Sequence, residues 1–203
     1  FTPKTAYAML RSLVGSEMCI RDSYVARVSA NRGTAVHHMC EDYLNNYPID
    51  WPDKWKEHEK KFLPYCLFKQ LKKSVLEKID NIRSQECALF SHKYRVAGRV
   101  DCIAEYDGEL SIIDFKTSTK ERTDEYNENY YIQAAAYAEM FEEQTGTPIE
   151  QIVILVVTED GVVQEFVKKK YDYIPLLVES IDKFTKDWEE ENDKLDRLSL
   201  IHI

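Results

Sequence analysis

The sequence lacks the features of several protein classes. No stretch of its 203 residues approaches the roughly 18 consecutive apolar residues of a membrane span, and no secretory signal is recognisable. The five cysteines are an odd number, are widely spaced and include no C-x-x-C pair. This spacing argues against a disulfide framework and against a structural zinc site. We therefore expect an intracellular protein whose core depends on apolar packing.

An overall positive charge, which nucleic-acid-binding proteins usually carry, is also absent: the net charge is -9 and the pI is about 5.1. The charges are unevenly distributed, however. Residues 53–83 hold nine Lys or Arg against five Asp or Glu. Lys72 and Lys73, within this segment, are candidate contacts to nucleic-acid phosphates. The alternative is an ordinary solvated helix face, on which lysines and acids commonly alternate.

One predicted hairpin dominates the chemistry of the sequence. Asp107-Gly108 separates two runs rich in β-branched and apolar residues, a pattern that favours a two-residue turn. With that turn, Asp101 and Asp114 face each other on neighbouring strands. Carboxylates so placed are roughly 4.5 to 5.5 Å apart at Cβ and repel each other unless a cation compensates them.

Either a divalent cation or a lysine could compensate the repulsion between these two carboxylates. Lys116 lies two residues beyond Asp114 and therefore on the same face, opposite Arg99. Such a cluster suits metal-assisted phosphodiester hydrolysis, in which Mg²⁺ polarises the phosphate and lysine stabilises the developing charge. The alternative is a surface charge cluster, in which Arg99 and Lys116 merely neutralise the aspartates.

Five short motifs follow one another along the chain: Gly33-Thr-Ala-Val-His37, Glu86 in a predicted strand, Gly98-Arg-Val-Asp101, Asp114-Phe-Lys116 and Gln133-Ala-Ala-Ala-Tyr137. In this order they resemble the PD-(D/E)XK nuclease superfamily, in particular the branch of RecB-like and phage-type exonucleases that also includes the mitochondrial genome maintenance exonuclease. The resemblance covers roughly residues 31–167. Val100 stands where the superfamily's name has proline, a frequent variation in this branch.

The resemblance implies a role for each motif residue. The implied metal ligands are His37, Asp101, Asp114 and the carbonyl of Phe115, with Mg²⁺ or Mn²⁺ as the ion. Lys116 becomes the catalytic lysine, and Glu86 matches a recurrent acidic position of the active site. Gln133 and Tyr137 match a motif that approaches the DNA, and Arg99 is a further candidate DNA contact. The four-cysteine spacing of relatives with an iron-sulfur cluster is absent here, so no such cluster is expected.

Two of these motifs also permit a purely structural interpretation. His37 borders the apolar stripe of a predicted helix and could be a packed or hydrogen-bonded core residue. If His37 binds the metal, Glu41, four residues on, could orient its ring. Gln133 and Tyr137 share one helix face and could be the polar rim of a buried helix. Taken with the hairpin, the functional interpretation is preferred for both.

The predicted fold is α/β, with a restriction-endonuclease-like αβββαβ core and a mixed sheet flanked by helices. Helices are predicted near 33–46, 54–82, 127–144 and 173–195, and a loop near 47–52. Strands are predicted near 85–90, 94–104, 110–116, 152–158 and 162–167, with a second turn at Asp160-Gly161.

Residues 24–197 are expected to form a single nuclease domain, since the length and composition suffice for one sizeable core. The stretches Ser12 to Ser23 and Leu198 to Ile203 look like translated adaptor sequence, and residues 1–23 and 198–203 are expected to be non-native or disordered ends.

The sequence thus predicts a metal-dependent DNA exonuclease that hydrolyses linear DNA from its ends in recombination, repair or replication, in the cytoplasm of a bacterium or a phage-infected cell. A structure-specific or restriction-like endonuclease is one alternative. A non-catalytic nucleic-acid-binding module is another.

Overall fold

The computed structural model describes residues 20–47, 49 and 62–199. In this part of the chain the elements are α1 (Ile20–Leu44), α2 (Phe62–Ser74), β1 (Ile79–Ser91), β2 (Val96–Tyr106), β3 (Glu109–Ser118), α3 (Asp124–Thr145), β4 (Gln151–Thr158), β5 (Val163–Lys169) and α4 (Ile174–Ser199). Single 3₁₀ turns, Leu76–Lys78 and Lys170–Asp172, precede β1 and α4. The predicted order of helix, three strands, helix and strand is therefore confirmed.

The five strands form one mixed sheet in the order β1-β2-β3-β4-β5. β3 and β4 pair in parallel and are connected through α3, whereas the other neighbours are antiparallel. β4 is buried along almost its whole length, as expected for a parallel strand covered on both faces. The predicted α/β class with a mixed sheet flanked by helices is confirmed.

Helices cover both faces of this sheet. On one face, α1 and α2 bury Val36, Leu67 and Phe68 against side chains of β2 and β3. On the other face, α3 supplies an alanine-rich surface, Ala134 to Ala138, that lets the helix lie close to the sheet, and α4 adds Leu177. No helix within the described residues is long and apolar enough to cross a membrane.

The boundary between α2 and β1 differs from the prediction. The helix predicted to continue to residue 82 ends at Ser74, and β1 begins at Ile79. Ile79 and Asp80 pair with Tyr106 and Glu105 at the far end of β2. Strand pairing between distant residues therefore overrides a local composition that favours a helix.

Other boundaries also differ from the prediction. α1 starts at Ile20, well before the predicted residue 33, and α4 runs to Ser199. α3 ends at Thr145 and is followed by Gly146, which adopts the left-handed conformation (φ 72°) common after helices. Three predicted segments lie wholly or mostly outside the described residues. They are the loop near 47–52, the start of the helix at 54–61, and the adaptor-like stretches, of which only residues 20–23 and 198–199 are described.

Candidate active site

The hairpin between β2 and β3 has the predicted turn. Asp107 and Gly108 both have positive φ angles, 51° and 86°, as a type I′ turn requires. Backbone pairing runs from Tyr106–Glu109 to Cys102–Ile113, in the predicted register. The ladder thus ends one pair before Asp101 and Asp114.

Asp101 occupies the position where the two strands stop pairing. Its Oδ2 accepts a hydrogen bond from the backbone N–H of Phe115, at 2.9 Å. The same oxygen lies 3.3 Å from Nδ1 of His37, which projects from α1. The Asp101 carboxylate therefore links β2, β3 and α1 at one point.

The alternation of side chains along β2 breaks at this aspartate. Val100 packs into the cluster under α3, whereas Cys102 packs into the cluster under α1 and α2. Residues two apart on a regular strand point to the same face. The irregularity therefore lies at Asp101 itself, between the two cores.

Glu86 lies opposite Asp101 on β1. The flanking pairs are Gln85–Cys102 and Cys87–Val100, and Glu86 itself has a φ of 48°, which is uncommon for a residue other than glycine. Backbone conformations of this kind are concentrated at functional sites. Together, burial and the nearby Asp101 charge raise the pKa of Glu86, although His37 and Arg99 oppose the shift.

His37, Glu86 and Asp101 form a group of potential metal ligands. One ligand atom from each residue lies within 4.8 Å of the others. Two carboxylates and one imidazole suit a divalent ion, because carboxylate oxygens favour Mg²⁺ or Mn²⁺ and imidazole binds several transition metals. The donor set therefore fits the metal that the sequence predicts, with Glu86 as an additional donor.

Asp114 is paired with Lys116. Asp114 is buried, and its Oδ2 forms an ion pair with the Lys116 ammonium. That oxygen accepts no hydrogen bond of normal geometry from the described residues. A buried carboxylate oxygen that can still accept a further interaction is suited to act as an additional ligand to a cation. The opposing aspartates thus differ in environment: Asp101 contacts His37, and Asp114 contacts Lys116.

The two aspartates also differ in acidity. Burial is the largest influence on both and disfavours their charged forms. For Asp101 this is outweighed by His37, Lys116 and the Phe115 N–H, so its pKa is lowered. For Asp114 the effect of burial is larger than the opposing effect of Lys116. The Asp101 charge acts in the same direction as burial, so the pKa of Asp114 is raised. Asp101 is therefore the carboxylate that remains ionised most readily.

His37 and Lys116 respond to the same two acids. Burial opposes the protonation of His37, but contact with Asp101 raises its pKa. Burial likewise opposes the charge on Lys116, yet Asp114 and Asp101 raise its pKa. The aspartates thus keep cations beside them.

The far side of the site is formed by α3. Gln133 Nε2 donates a hydrogen bond to the hydroxyl of Tyr137 at 2.9 Å, which confirms that they share one helix face. Tyr137 is buried, and burial raises its pKa. The Asp114 charge is the next largest cause of the same shift. Tyr130 was missed by sequence reasoning, although its ring centroid lies 4.9 Å from Lys116 Nζ. Its spacing of three from Gln133 could have indicated it.

Two contacts expected from the sequence are replaced by others. Lys116 does not face Arg99, because the ladder ends before that pair; Arg99 instead lies 3.6 Å from Glu86. Glu41 does not orient His37, because its carboxylate lies 3.5 Å from Nδ1 of the exposed His38.

The two predicted lysines lie in the last turn of α2. Lys72 places its ammonium 4.4 Å from the centroid of the Tyr43 ring and lines a cavity of about 380 Å³ between α1 and α2. Lys73 is exposed. Neither lysine forms an ion pair with a carboxylate in the ranges that the structure describes, so both remain available for phosphates.

Comparison with known protein families shows which family this chain belongs to. The model of the PD-(D/E)XK nuclease superfamily matches residues 8–200. The chain belongs to the PD-(D/E)XK nuclease superfamily. The residues that carry the resemblance in the sequence, Asp101, Asp114 and Lys116, lie within the matched range. Nucleases of this superfamily use divalent metals, which agrees with the donors gathered around Asp101.

Two curated proteins that this chain resembles are named as mitochondrial exonucleases. The chain is 30% identical over 89 residues to mitochondrial genome maintenance exonuclease 1 of Mus musculus, an alignment that covers 44% of this chain and 24% of the relative. It is 39% identical over 46 residues to the Homo sapiens protein of the same name, covering 23% and 13% of the two chains. The chain thus spans about a quarter or less of the curated relatives that it matches.

A solved structure supports the fold. A protein from Eubacterium rectale, described as a candidate exonuclease, aligns with a TM-score of 0.54 over 85% of this chain and 68% of that chain, at 11% identity. At this identity the likeness concerns the fold alone. It agrees with the restriction-endonuclease-like α/β architecture of the superfamily.

Proposed function

We propose that this protein is a divalent-metal-dependent deoxyribonuclease that removes nucleotides from the ends of linear DNA. The proposal is carried by one observation: the ligand atoms of His37, Glu86 and Asp101 converge beside the Asp114–Lys116 ion pair. The mitochondrial relatives named as exonucleases support the choice of exonuclease within the superfamily. DNA recombination, repair and replication are the processes in which such an activity would serve.

The metal, Mg²⁺ or Mn²⁺, is assigned to His37, Glu86, Asp101 and Asp114, with the Phe115 carbonyl as a further ligand. A divalent ion held there would polarise the scissile phosphate and lower the pKa of a bound water. Asp101 suits this role because the Phe115 N–H fixes one of its oxygens. Asp114 suits it because burial and repulsion raise its pKa, and a nearby cation would relieve that repulsion.

Lys116 is assigned to the chemical step. Its ammonium is held by Asp114 and lies against the Tyr130 ring, so its position is restricted. A restricted cation beside the metal ligands can stabilise the charge that develops on the phosphate, or orient the attacking water. Contacts to DNA are assigned to Gln133, Tyr137 and Arg99 beside the site and to Lys72 and Lys73 on α2.

The test compares linear with covalently closed circular DNA. Purified protein is incubated with each substrate in Mg²⁺, in Mn²⁺ and in EDTA, and each strand of the linear substrate is labelled at each end in turn. We expect metal-dependent release of short products from linear DNA and no loss of the closed circle. The order in which the labels are released gives the polarity.

Two other results would contradict the proposal. Cleavage of closed circular DNA at a comparable rate would indicate a structure-specific or restriction-like endonuclease. Binding of DNA without cleavage in either metal would indicate a non-catalytic nucleic-acid-binding module.

A further inference from the structure

One face of α3 carries aromatic side chains that lead from solvent to the active site. Tyr126, Tyr130, Gln133 and Tyr137 are spaced by four, three and four residues and therefore share a face. Tyr126 is 74% exposed, Tyr130 and Gln133 are partly buried, and Tyr137 is 3% exposed. Because the Tyr130 ring centroid lies 4.9 Å from Lys116 Nζ, this row leads from solvent to the residues assigned to the chemical step.

Tyr130, in the middle of this row, contacts two cations. Its ring centroid lies 4.9 Å from Lys116 Nζ and 5.0 Å from the guanidinium carbon of Arg122. Cations at such distances are attracted by the face of an aromatic ring. Tyr130 thus connects the lysine assigned to catalysis with a second positive group outside the metal-ligand cluster.

Arg122 is fixed by neutral partners. Its Nε donates to Asn127 Oδ1 at 2.7 Å, and its Nη2 donates to the carbonyl of Tyr126. Its backbone is fastened to the side chain of Gln164 by two hydrogen bonds. Among the described residues no carboxylate forms an ion pair with it, so its charge is held in place without being neutralised.

Of the two acidic residues in the first turn of α3, Asp124 and Glu125, the first is already paired with other residues. Asp124 accepts hydrogen bonds from Lys168 and from the hydroxyl of Tyr131. Its pKa is lowered first by Lys168 and then by Tyr131, so its charge is already compensated. It therefore opposes an anion beside Arg122 less than its sequence position suggests.

We propose that Tyr126, Tyr130 and Arg122 form a subsite for one unpaired nucleotide of the DNA strand next to the scissile phosphate. The proposal deepens the proposed function and rests on it. The base stacks on the exposed Tyr126 ring, Tyr130 forms the floor toward Lys116, and Arg122 receives a phosphate oxygen. Aromatic side chains beside fixed cations are the usual means of holding single-stranded nucleic acid, and stacking requires an unpaired base.

The experiment measures binding in EDTA, so that no metal-dependent cleavage interferes. Fluorescence anisotropy compares a short labelled thymidine oligonucleotide with an oligomer of equal length and charge that carries abasic sites throughout. The variants are Tyr126→Ala and Tyr126→Phe. The control is Tyr171→Ala, which removes a tyrosine that is 54% exposed in the 3₁₀ turn after β5.

We expect Tyr126→Ala to weaken binding of the thymidine oligonucleotide by roughly 5- to 150-fold, the range for one lost stacking contact. Tyr126→Phe should restore binding, because the ring is kept. Tyr171→Ala should bind as the parent does. The abasic oligomer should bind the parent and Tyr126→Ala equally.

The possible failures are distinguishable. If the parent cleaves DNA but Tyr126→Ala binds both oligomers as the parent does, the subsite is overturned and the nuclease assignment stands. An equal loss of affinity for both oligomers would also overturn it, because the tyrosine would then not be reading a base. If the parent neither binds nor cleaves DNA, the proposed function fails and the subsite fails with it.

Discussion

Nδ1 of His37 lies 3.3 Å from Oδ2 of Asp101, and this contact joins helix α1 to strand β2. Burial favours the neutral imidazole, but the Asp101 charge outweighs it and raises the pKa of His37. A metal ion needs the neutral imidazole. A metal ion bound by His37 should therefore compete with the proton that Asp101 favours on this ring.

The first prediction concerns this histidine. His37→Ala should weaken Mn²⁺ binding by at least about 10-fold, because even residues that only support a ligand typically cost that much. His38→Ala is the matched control, because His38 is the next residue, is exposed and contacts Glu41 instead. Isothermal titration calorimetry measures both. Equal losses in the two variants would remove His37 from the site.

The second prediction separates ligands from the catalytic lysine. Lys116→Ala removes a cation beside two carboxylates, so Mn²⁺ binding should survive or tighten. Cleavage should fall by roughly 10² to 10³, the loss typical of one electrostatic contact to the transition state. Single-turnover cleavage of labelled linear DNA measures the rate, and Lys169→Ala, at the exposed end of β5, is the control.

Lys116 could instead serve only to neutralise a charge cluster. Its removal would then lower the melting temperature while the folded variant cleaved at the parent rate. Melting curves with and without Mg²⁺ distinguish the two cases, and undiminished cleavage would exclude the catalytic role.

The third prediction concerns DNA engagement by α3. Gln133→Ala removes the donor to the Tyr137 hydroxyl but none of the proposed metal ligands. We expect unchanged Mn²⁺ affinity and a raised KM for DNA. Gln144→Ala on the same helix, where the side chain donates a hydrogen bond to the Phe90 carbonyl, should leave both unchanged. A loss of metal affinity in Gln133→Ala would show that the helix has been misassigned.

The fourth prediction tests an ion-pair network remote from the site. Lys170 is buried and contacts Glu139 at 2.9 Å as well as Glu142. Lys170→Met should lower the free energy of unfolding by about 1 to 3 kcal/mol, a moderate value because Glu142 is 41% exposed. Lys169→Met, at the exposed neighbouring position, is the control in urea unfolding.

This network should also show a defined pH dependence. Burial raises the Glu139 pKa, but Lys170 and Tyr94 outweigh it, so the folded-state pKa is lower than the unfolded value near 4.5. The stabilisation is therefore present above that value and is lost as the pH falls through the folded-state pKa. The difference between parent and Lys170→Met should shrink on acidification. A difference that grew at acid pH would contradict this assignment.

Local patterns predicted the hairpin because its turn is specified by its own residues. Asp107 and Gly108 adopt the positive φ angles that their types allow, and the register follows from the length of the turn. Gly146 ends α3 for the same kind of local reason. Features that depend on neighbouring residues were therefore accessible from the sequence.

Features that depend on residues far apart in the sequence could not be predicted from it. The pairing of Ile79 with Tyr106 extends β1 into a segment that resembles a helix in composition. The ladder ends at Cys102–Ile113, so Arg99 is not paired with Lys116. Glu86 has a positive φ angle, and its carboxylate lies near Asp101. No short sequence window contains both members of these pairs.

The carboxylates around Asp101 are proposed to hold the metal ion that the protein needs to hydrolyse DNA. The most direct measurement is release of nucleotides from end-labelled linear DNA by metal-stripped protein, with Mg²⁺ added or withheld, for the parent and for Asp101→Asn. Asparagine keeps the shape of the side chain and removes its charge. We predict release by the parent only when Mg²⁺ is present and no release above background by Asp101→Asn, with both proteins folded. Release by the parent in EDTA, or release by Asp101→Asn at the parent rate, would show that a metal held by Asp101 is not needed for cleavage.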